Sequence, residues 1–216
     1  MPRARIALVV TRSDAVGGSQ IHVRDLALAL RADGFAVRIL VGGRGPYVPM
    51  LQALGLDVVP LRHLVGPVEP AADLRAVLEL RRALRAFGPD LVALHTAKAG
   101  LLGRLAARGL GVPVVLTPHG WAFVDGVPRG RAAVFRALER LAAPLTHRII
   151  TVSEFSRTLA RRAGVGTVER VRATGRRASE PGAAIRRSSC RSVGEHVRGP
   201  RGHGHLRGIG YAREDA

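Results

Sequence analysis

Short apolar runs alternate along this chain with longer stretches whose apolar residues recur every three or four positions. Ile6–Val10 is a continuous apolar run, the pattern of a strand buried on both faces. The polar loop Thr11–Ser19 follows, and Ser19 is placed to cap a helix over Gln20–Ala32. Ile21, Leu26, Ala29 and Leu30 would be its buried stripe, and Gly34 is expected to end it. Ala36–Val41 predicts a second strand, Gly42–Pro46 a loop, Tyr47–Leu54 a short helix and Asp57–Leu61 a third strand. That third strand is weakened by Pro60, which cannot donate to a ladder.

Asp73–Phe87 reads as a helix with Leu74, Val77, Leu78, Leu84 and Phe87 facing inward, closed by Gly88-Pro89. Leu91–Leu94 and Val114–Leu116 predict two more strands with a helix, Gly100–Arg108, between them. Arg131–Ala143 predicts a helix stopped by Pro144, Arg148–Val152 a last strand, and Ser153 a cap for a helix over Glu154–Ala163. Strands and helices alternating in this way imply a parallel, doubly wound sheet with helices on both faces. Ligands of such sheets bind at the carboxyl ends of the strands. Two apolar runs here end in polar clusters carrying a histidine, His95 and His119.

Beyond Val168 the pattern changes. Residues 169–216 carry eleven arginines against five acidic residues, few large aliphatics and no sustained period. Such a segment buries too little to offset its chain entropy, so disorder is expected there. The whole chain has 216 residues and a formal net charge of +18, almost all of the excess being arginine. A GC-rich coding sequence explains much of that bias, but a surface so basic is still drawn to phosphates on nucleic acid or anionic lipid. The single cysteine, Cys190, excludes an internal disulfide framework and a cysteine-rich metal site. No apolar run is long enough to span a bilayer or to form a signal-peptide core, so a cytoplasmic location is expected.

Candidate chemistry gathers at the predicted strand ends. Gly17-Gly18 precedes a helix, where backbone N–H groups and the helix dipole favour phosphate; the alternative is a tight turn needing positive φ. The loop is neither G-x-G-x-x-G nor a P-loop. His119, beside Gly120, is placed to donate to a ligand oxygen or to be satisfied by backbone, and His95 has the same two readings. Lys98, the only lysine, either meets a phosphate or carboxylate or is solvated. Trp121 and Phe123 form an acceptor-facing lip, lie under a partner domain, or belong to the core. Arg75, Arg81, Arg82 and Arg85 on one helix, and Arg129, Arg131, Arg136 and Arg140 on another, make either solvated faces or a face for an anionic membrane. His203 and His205 stand without further ligands and are not read as a metal site, and no G-x-S-x-G elbow supports a serine nucleophile.

Taken in order, several segments resemble the N-terminal half of a GT-B glycosyltransferase of family 4. They are Gly17-Gly18-Ser-Gln-Ile-His22-Val-Arg-Asp-Leu-Ala, Arg31-Ala-Asp-Gly-Phe-Ala-Val, Pro89-Asp-Leu-Val-Ala-Leu-His95, Lys98-Ala-Gly-Leu-Leu-Gly-Arg104, Thr117-Pro-His-Gly-Trp-Ala-Phe123 and Ile150-Thr-Val-Ser-Glu154. The resemblance implies a Rossmann-like domain over residues 1–168, the acceptor side of an enzyme that transfers sugar with retention from a nucleotide sugar. The acceptor would be a glycan or lipid-linked molecule of cell-surface polysaccharide or glycolipid assembly. It implies that Gly17 and Gly18 approach the donor diphosphate and that His119 hydrogen-bonds the donor sugar near the reacting centre. Gln20, His95, Lys98 and Trp121 are the candidates for acceptor or substrate contact. No cofactor and no metal are expected, nor a specific nucleic acid partner; peripheral contact with an anionic inner membrane face is. The match breaks near Val168–Thr174, where the family continues into an Asn-Gly segment and a donor domain with two glutamates seven residues apart. A frameshift or truncation there, with the tail read in a wrong frame, would leave little or no transfer by this polypeptide alone. The alternative reading is a non-catalytic Rossmann-like module binding a glycan or protein; a basic nucleic-acid binder ranks below both, because the tail lacks interleaved aromatics.

Overall fold

The computed structural model describes residues 2–124, 126–166 and 171–173. The expected boundary at 168 and the expected disorder beyond it fall outside this set, apart from Val171–Ala173. Seven parallel strands form one sheet: β1 (Arg5–Val10), β2 (Ala36–Gly42), β3 (Asp57–Leu61), β4 (Leu91–His95), β5 (Val114–Thr117), β6 (Arg148–Thr151) and β7 (Val171–Ala173). Their spatial order is β3-β2-β1-β4-β5-β6-β7. Six α-helices join them: α1 (Gly18–Ala32), α2 (Tyr47–Ala53), α3 (Pro70–Phe87), α4 (Ala97–Ala107), α5 (Arg129–Ala142) and α6 (Glu154–Arg162).

The strands are apolar throughout because both faces are covered. Ile6, Leu8 and Val10 of β1 pack with α1 and α2, whereas Ala7 and Val9 pack with α3 and α4. Pro60 is tolerated because β3 is the sheet edge. Gly34 follows α1 at φ 86°, as expected, and Ser153 caps α6, its Oγ accepting from the Ser156 N–H at 3.1 Å.

Helix faces are where the sequence reading shifts. α1 buries Gln20, Val23 and Ala27, while Ala29 is exposed. α3 begins at Pro70, where proline suits the first turn. It buries Ala76, Leu80, Leu84 and Phe87, and Leu74 and Leu78 are exposed. α4 begins three residues before the expected Gly100. Thr96, at φ 78°, is the one non-glycine residue at positive φ among the described residues, and it turns the chain from β4 directly into α4. Pro144 does not end the structure but sits in a 3₁₀ turn, Ala143–Leu145, that continues α5.

Candidate functional site

The order of the strands puts a topological switch point between β1 and β4, whose connections leave in opposite directions. Val10, the last residue of β1, pairs with His95, the last of β4. The loops beyond these strands and beyond β2 and β3 enclose a cleft of about 890 Å³, lined among others by Thr11, Gly17, Gln20, Gly45, Thr96 and Lys98.

Hydroxyl groups stitch the floor of this cleft together. The Ala99 N–H in the first turn of α4 donates to Thr11 Oγ1 at 3.0 Å, and the Thr11 and Thr96 hydroxyls share a hydrogen bond of 2.6 Å. A residue after β1 thereby caps the helix after β4. Ser13 Oγ donates to the Gly42 carbonyl at 2.7 Å and accepts from the Gly45 N–H at 2.8 Å. Gly42 allows the close approach of three segments: a Cβ there would fall 1.9 Å from the Leu64 carbonyl oxygen and 2.0 Å from that of Thr11. On the far rim, Glu79 of α3 accepts from the N–H groups of Arg62 and His63 at 2.7 and 2.9 Å. Burial would raise its carboxyl, but those N–H groups and the His63 ring prevail and hold it below the usual range.

Gly17 and Gly18 sit at the start of α1, yet not for the reason a tight turn would give. Gly17 is extended at φ −111°, and neither glycine is at positive φ. A Cβ on Gly18 would meet nothing within 4 Å, and one on Gly17 only Gln20 Oε1 at 3.5 Å. Ser19 is not the cap. Gln20, buried, reaches back so that its Oε1 accepts from the Gly17 N–H at 3.2 Å and the Ser19 hydroxyl at 2.8 Å. Its Nε2 donates to the Arg12 carbonyl at 3.2 Å. The amide expected to touch acceptor is thus spent in shaping the glycine loop.

Beside that loop three imidazoles meet. His22 lies one turn into α1, His95 closes β4 and His119 follows β5. Their ring centroids are 5.0 to 5.6 Å apart, and His95 Nδ1 is 3.3 Å from His119 Nε2. His95 is 1% exposed, His119 half-buried and His22 exposed. Burial, helped by the neighbouring His119 and His22 rings, pushes His95 down to about 3. Burial and His22 bring His119 down to about 4. Both rings are therefore neutral at pH 7, each with one N–H donor and one lone pair. The sequence reading singled out two of the three; His22 stood inside a quoted motif, and only the packing of α1 against β1 brings it to the others.

The remaining candidates are placed differently. Lys98 is neither free nor solvated: it pairs with Asp73 of α3 at 2.6 Å and donates to the Pro67 carbonyl, holding the β3–α3 loop against the cleft. Trp121 is no lip. It is 3% exposed, its Nε1 donates to the Ser156 carbonyl at 3.0 Å, and it stacks on Phe123, so its contacts are those of the core. Arg81 is drawn off the solvated face to donate to the Ala106 and Arg108 carbonyls at the end of α4. Arg104 ends one of the quoted motifs, where the sequence assigns it no role. Fully buried, it donates from Nε to the Gly100 carbonyl at 2.8 Å and from Nη2 to Glu139 of α5 at 2.6 Å.

The sequence profile of the glycosyl transferase 4-like domain matches residues 17–176. An Escherichia coli UDP-Gal:alpha-D-GlcNAc-diphosphoundecaprenol alpha-1,3-galactosyltransferase is 40% identical over 136 residues, 62% of this chain and 34% of that protein. A D-inositol 3-phosphate glycosyltransferase of Catenulispora acidiphila is 32% identical over 146 residues, 59% of this chain and 35% of that protein. The chain thus spans about a third of the length of these relatives. Among solved structures, Anabaena Alr3699/HepE in complex with UDP and glucose superposes with a TM-score of 0.61 at 20% identity, over 79% of this chain and 44% of that one. That likeness concerns the fold.

Proposed function

Because the chain belongs to the glycosyl transferase 4-like family, we propose that it forms the N-terminal, acceptor-side half of a site that moves a sugar, with retention, from a nucleotide sugar to a glycan or lipid-linked acceptor in cell-surface polysaccharide or glycolipid assembly. The observation that carries this reading is the Gly17-Gly18 loop at the switch point. No positive φ and no internal packing calls for two glycines there, whereas an approaching diphosphate does. As the sugar–phosphate bond breaks, charge builds on the departing diphosphate. Gln20 ties down the Gly17 N–H at the entry to α1, and the N–H groups of the helix's first turn behind it would meet that charge with little reorganisation. His119, neutral and half-buried, supplies a donor and an acceptor for sugar hydroxyls beside the reacting centre. No nucleophile is assigned among the described residues in this scheme.

A peripheral location at the cytoplasmic membrane face suits a lipid-linked acceptor. α5 supports it, with Val134 and Leu141 exposed among Arg129, Arg131 and Arg136. Among the described residues no helix is long and apolar enough to cross a membrane.

The test is calorimetric titration of a UDP-sugar into the purified chain and into Gly18→Leu. The substitution points into open space, so the fold survives while the anion's approach is filled. Saturable binding that weakens about tenfold or more, equivalent to about 1.4 kcal/mol, is expected. Binding of free glycan but no nucleotide sugar, or binding indifferent to Gly18→Leu, overturns the proposal.

A further inference from the structure

The hydrogen bond between two of the three imidazoles can run either way, and the burial of one ring nitrogen decides its direction. His95 Nδ1 and His119 Nε2 are 3.3 Å apart. Both rings are neutral at pH 7, so one proton lies between those nitrogens and each ring keeps one N–H and one lone pair. Which nitrogen of a histidine carries the proton is set by the bond the other one makes. The two rings are therefore locked to the same tautomer. If His95 Nδ1–H donates, both are Nδ1–H; if His119 Nε2–H donates, both are Nε2–H, the form that a free imidazole side chain prefers in water.

His95 Nε2 separates the two cases. It is buried without a hydrogen-bond partner, on a residue that is 1% exposed. Side chains alternate along β4, so His95 shares the face of Ala93. That is the α1 side of the sheet, where Leu8, Val10, Val23 and Ala93 belong to one apolar cluster. The His22 ring, its centroid 5.6 Å from that of His95, offers no hydrogen bond either. In the Nε2–H pair this nitrogen would be a buried N–H with no acceptor, rarer in folded proteins than an acceptor with no donor. In the Nδ1–H pair it is a lone pair among C–H groups, which are weak donors and not acceptors.

We propose that His95 is a positioning residue for His119: its Nδ1–H donates to His119 Nε2 and fixes that ring as the Nδ1–H tautomer. His119 then has no lone pair left for a ligand. What it presents is one N–H, on a half-buried ring with no other hydrogen-bond partner among the described residues. The inference rests on the sugar-transfer reading and narrows it. Of the donor and the acceptor that a neutral ring brings, His95 takes up the acceptor, so the group bound at His119 must itself accept. A sugar hydroxyl does so by turning its own hydrogen away, whereas an ammonium or amide N–H in the same place meets another N–H and is refused.

The test reads the tautomers of the full chain with neither donor nor acceptor present, so it stands apart from sugar transfer. Long-range proton–nitrogen correlation spectra of isotope-labelled histidine rings at pH 7 distinguish Nδ1–H from Nε2–H, the ring signals being assigned through the backbone. His95 and His119 are both expected as Nδ1–H. His95→Leu removes the donor, and there the nitrogen signals of His119 should exchange places as the ring reverts mainly to Nε2–H. His22→Ala removes a neighbouring ring but no hydrogen bond, and both tautomers should stay as they are. Each variant is checked for folding by circular dichroism. Nε2–H at either ring of the unsubstituted chain overturns the proposal, as does Nδ1–H persisting at His119 in folded His95→Leu. If His95→Leu fails to fold, the spectrum of the unsubstituted chain decides alone. A chain with both rings Nδ1–H that binds no UDP-sugar would refute the function and leave the arrangement of His95 and His119 standing.

Discussion

One substitution tells two residues apart. At Gly42 a methyl group would press into the backbone carbonyls of Leu64 and Thr11, atoms that cannot swing aside. At Gly18 the same methyl group meets nothing within 4 Å and lies at the start of a helix, where alanine narrows the unfolded ensemble. Gly42→Ala should therefore lose about 3 kcal/mol or more of stability. Gly18→Ala should hold its stability to within about 0.5 kcal/mol or gain slightly. Urea midpoints of the two variants against the parent check this, and similar losses at both positions would contradict it. The sequence offers both glycines in similar dress, each in a Gly-Gly pair that follows a valine. Only the packing shows that one is demanded by the chain and the other left open by it.

Between elements, the buried Arg104–Glu139 pair is what joins α4 to α5 by charge. Such a pair is costly to break and cheap to replace. Glu139 without its partner would be a buried, uncompensated carboxylate, so Arg104→Met alone should cost about 3–5 kcal/mol. Arg104→Met with Glu139→Leu should recover most of that loss, and a double-mutant cycle by chemical denaturation measures it; a double variant no better than the single would refute the argument. Arginine on an amphipathic helix reads as solvent-facing from sequence, which is why this pair was not foreseen. The strands were legible because burial on both faces leaves an unbroken apolar signature, as in Ile6–Val10. The helix faces were less so. In α3 the large side chains Leu74 and Leu78 also recur at helical spacing, and the smaller Ala76 that belongs to the true stripe carries little signal. The candidate site was half legible. A histidine at a strand end announces itself, whereas His22, Thr11 and Thr96 take their meaning from neighbours supplied by the β1–β4 pairing.

For the molecule as a whole, a formal charge of +18 sets long-range behaviour that no single contact does. The full chain should sediment with vesicles rich in phosphatidylglycerol and not with neutral ones. Raising salt should weaken that binding by about tenfold or more as the Debye length shrinks from about 10 to 3 Å. Replacing Val134 and Leu141 of α5 by serine should weaken it further at every salt concentration; equal binding to neutral vesicles would contradict the charge argument. The same parallel sheet that spreads charge over its helices gathers its loops at one edge, and there Thr11 and Ser13 reach across to the segments following β2 and β4. These loops cannot loosen one at a time. Releasing Thr11 from Ala99 and Thr96 slackens the loop that presents Ser13 to Gly45. The rim of the cleft is thus a single cooperative unit of local unfolding. Whatever seats itself against one loop takes up the slack in the others and is felt on both sides of the switch point.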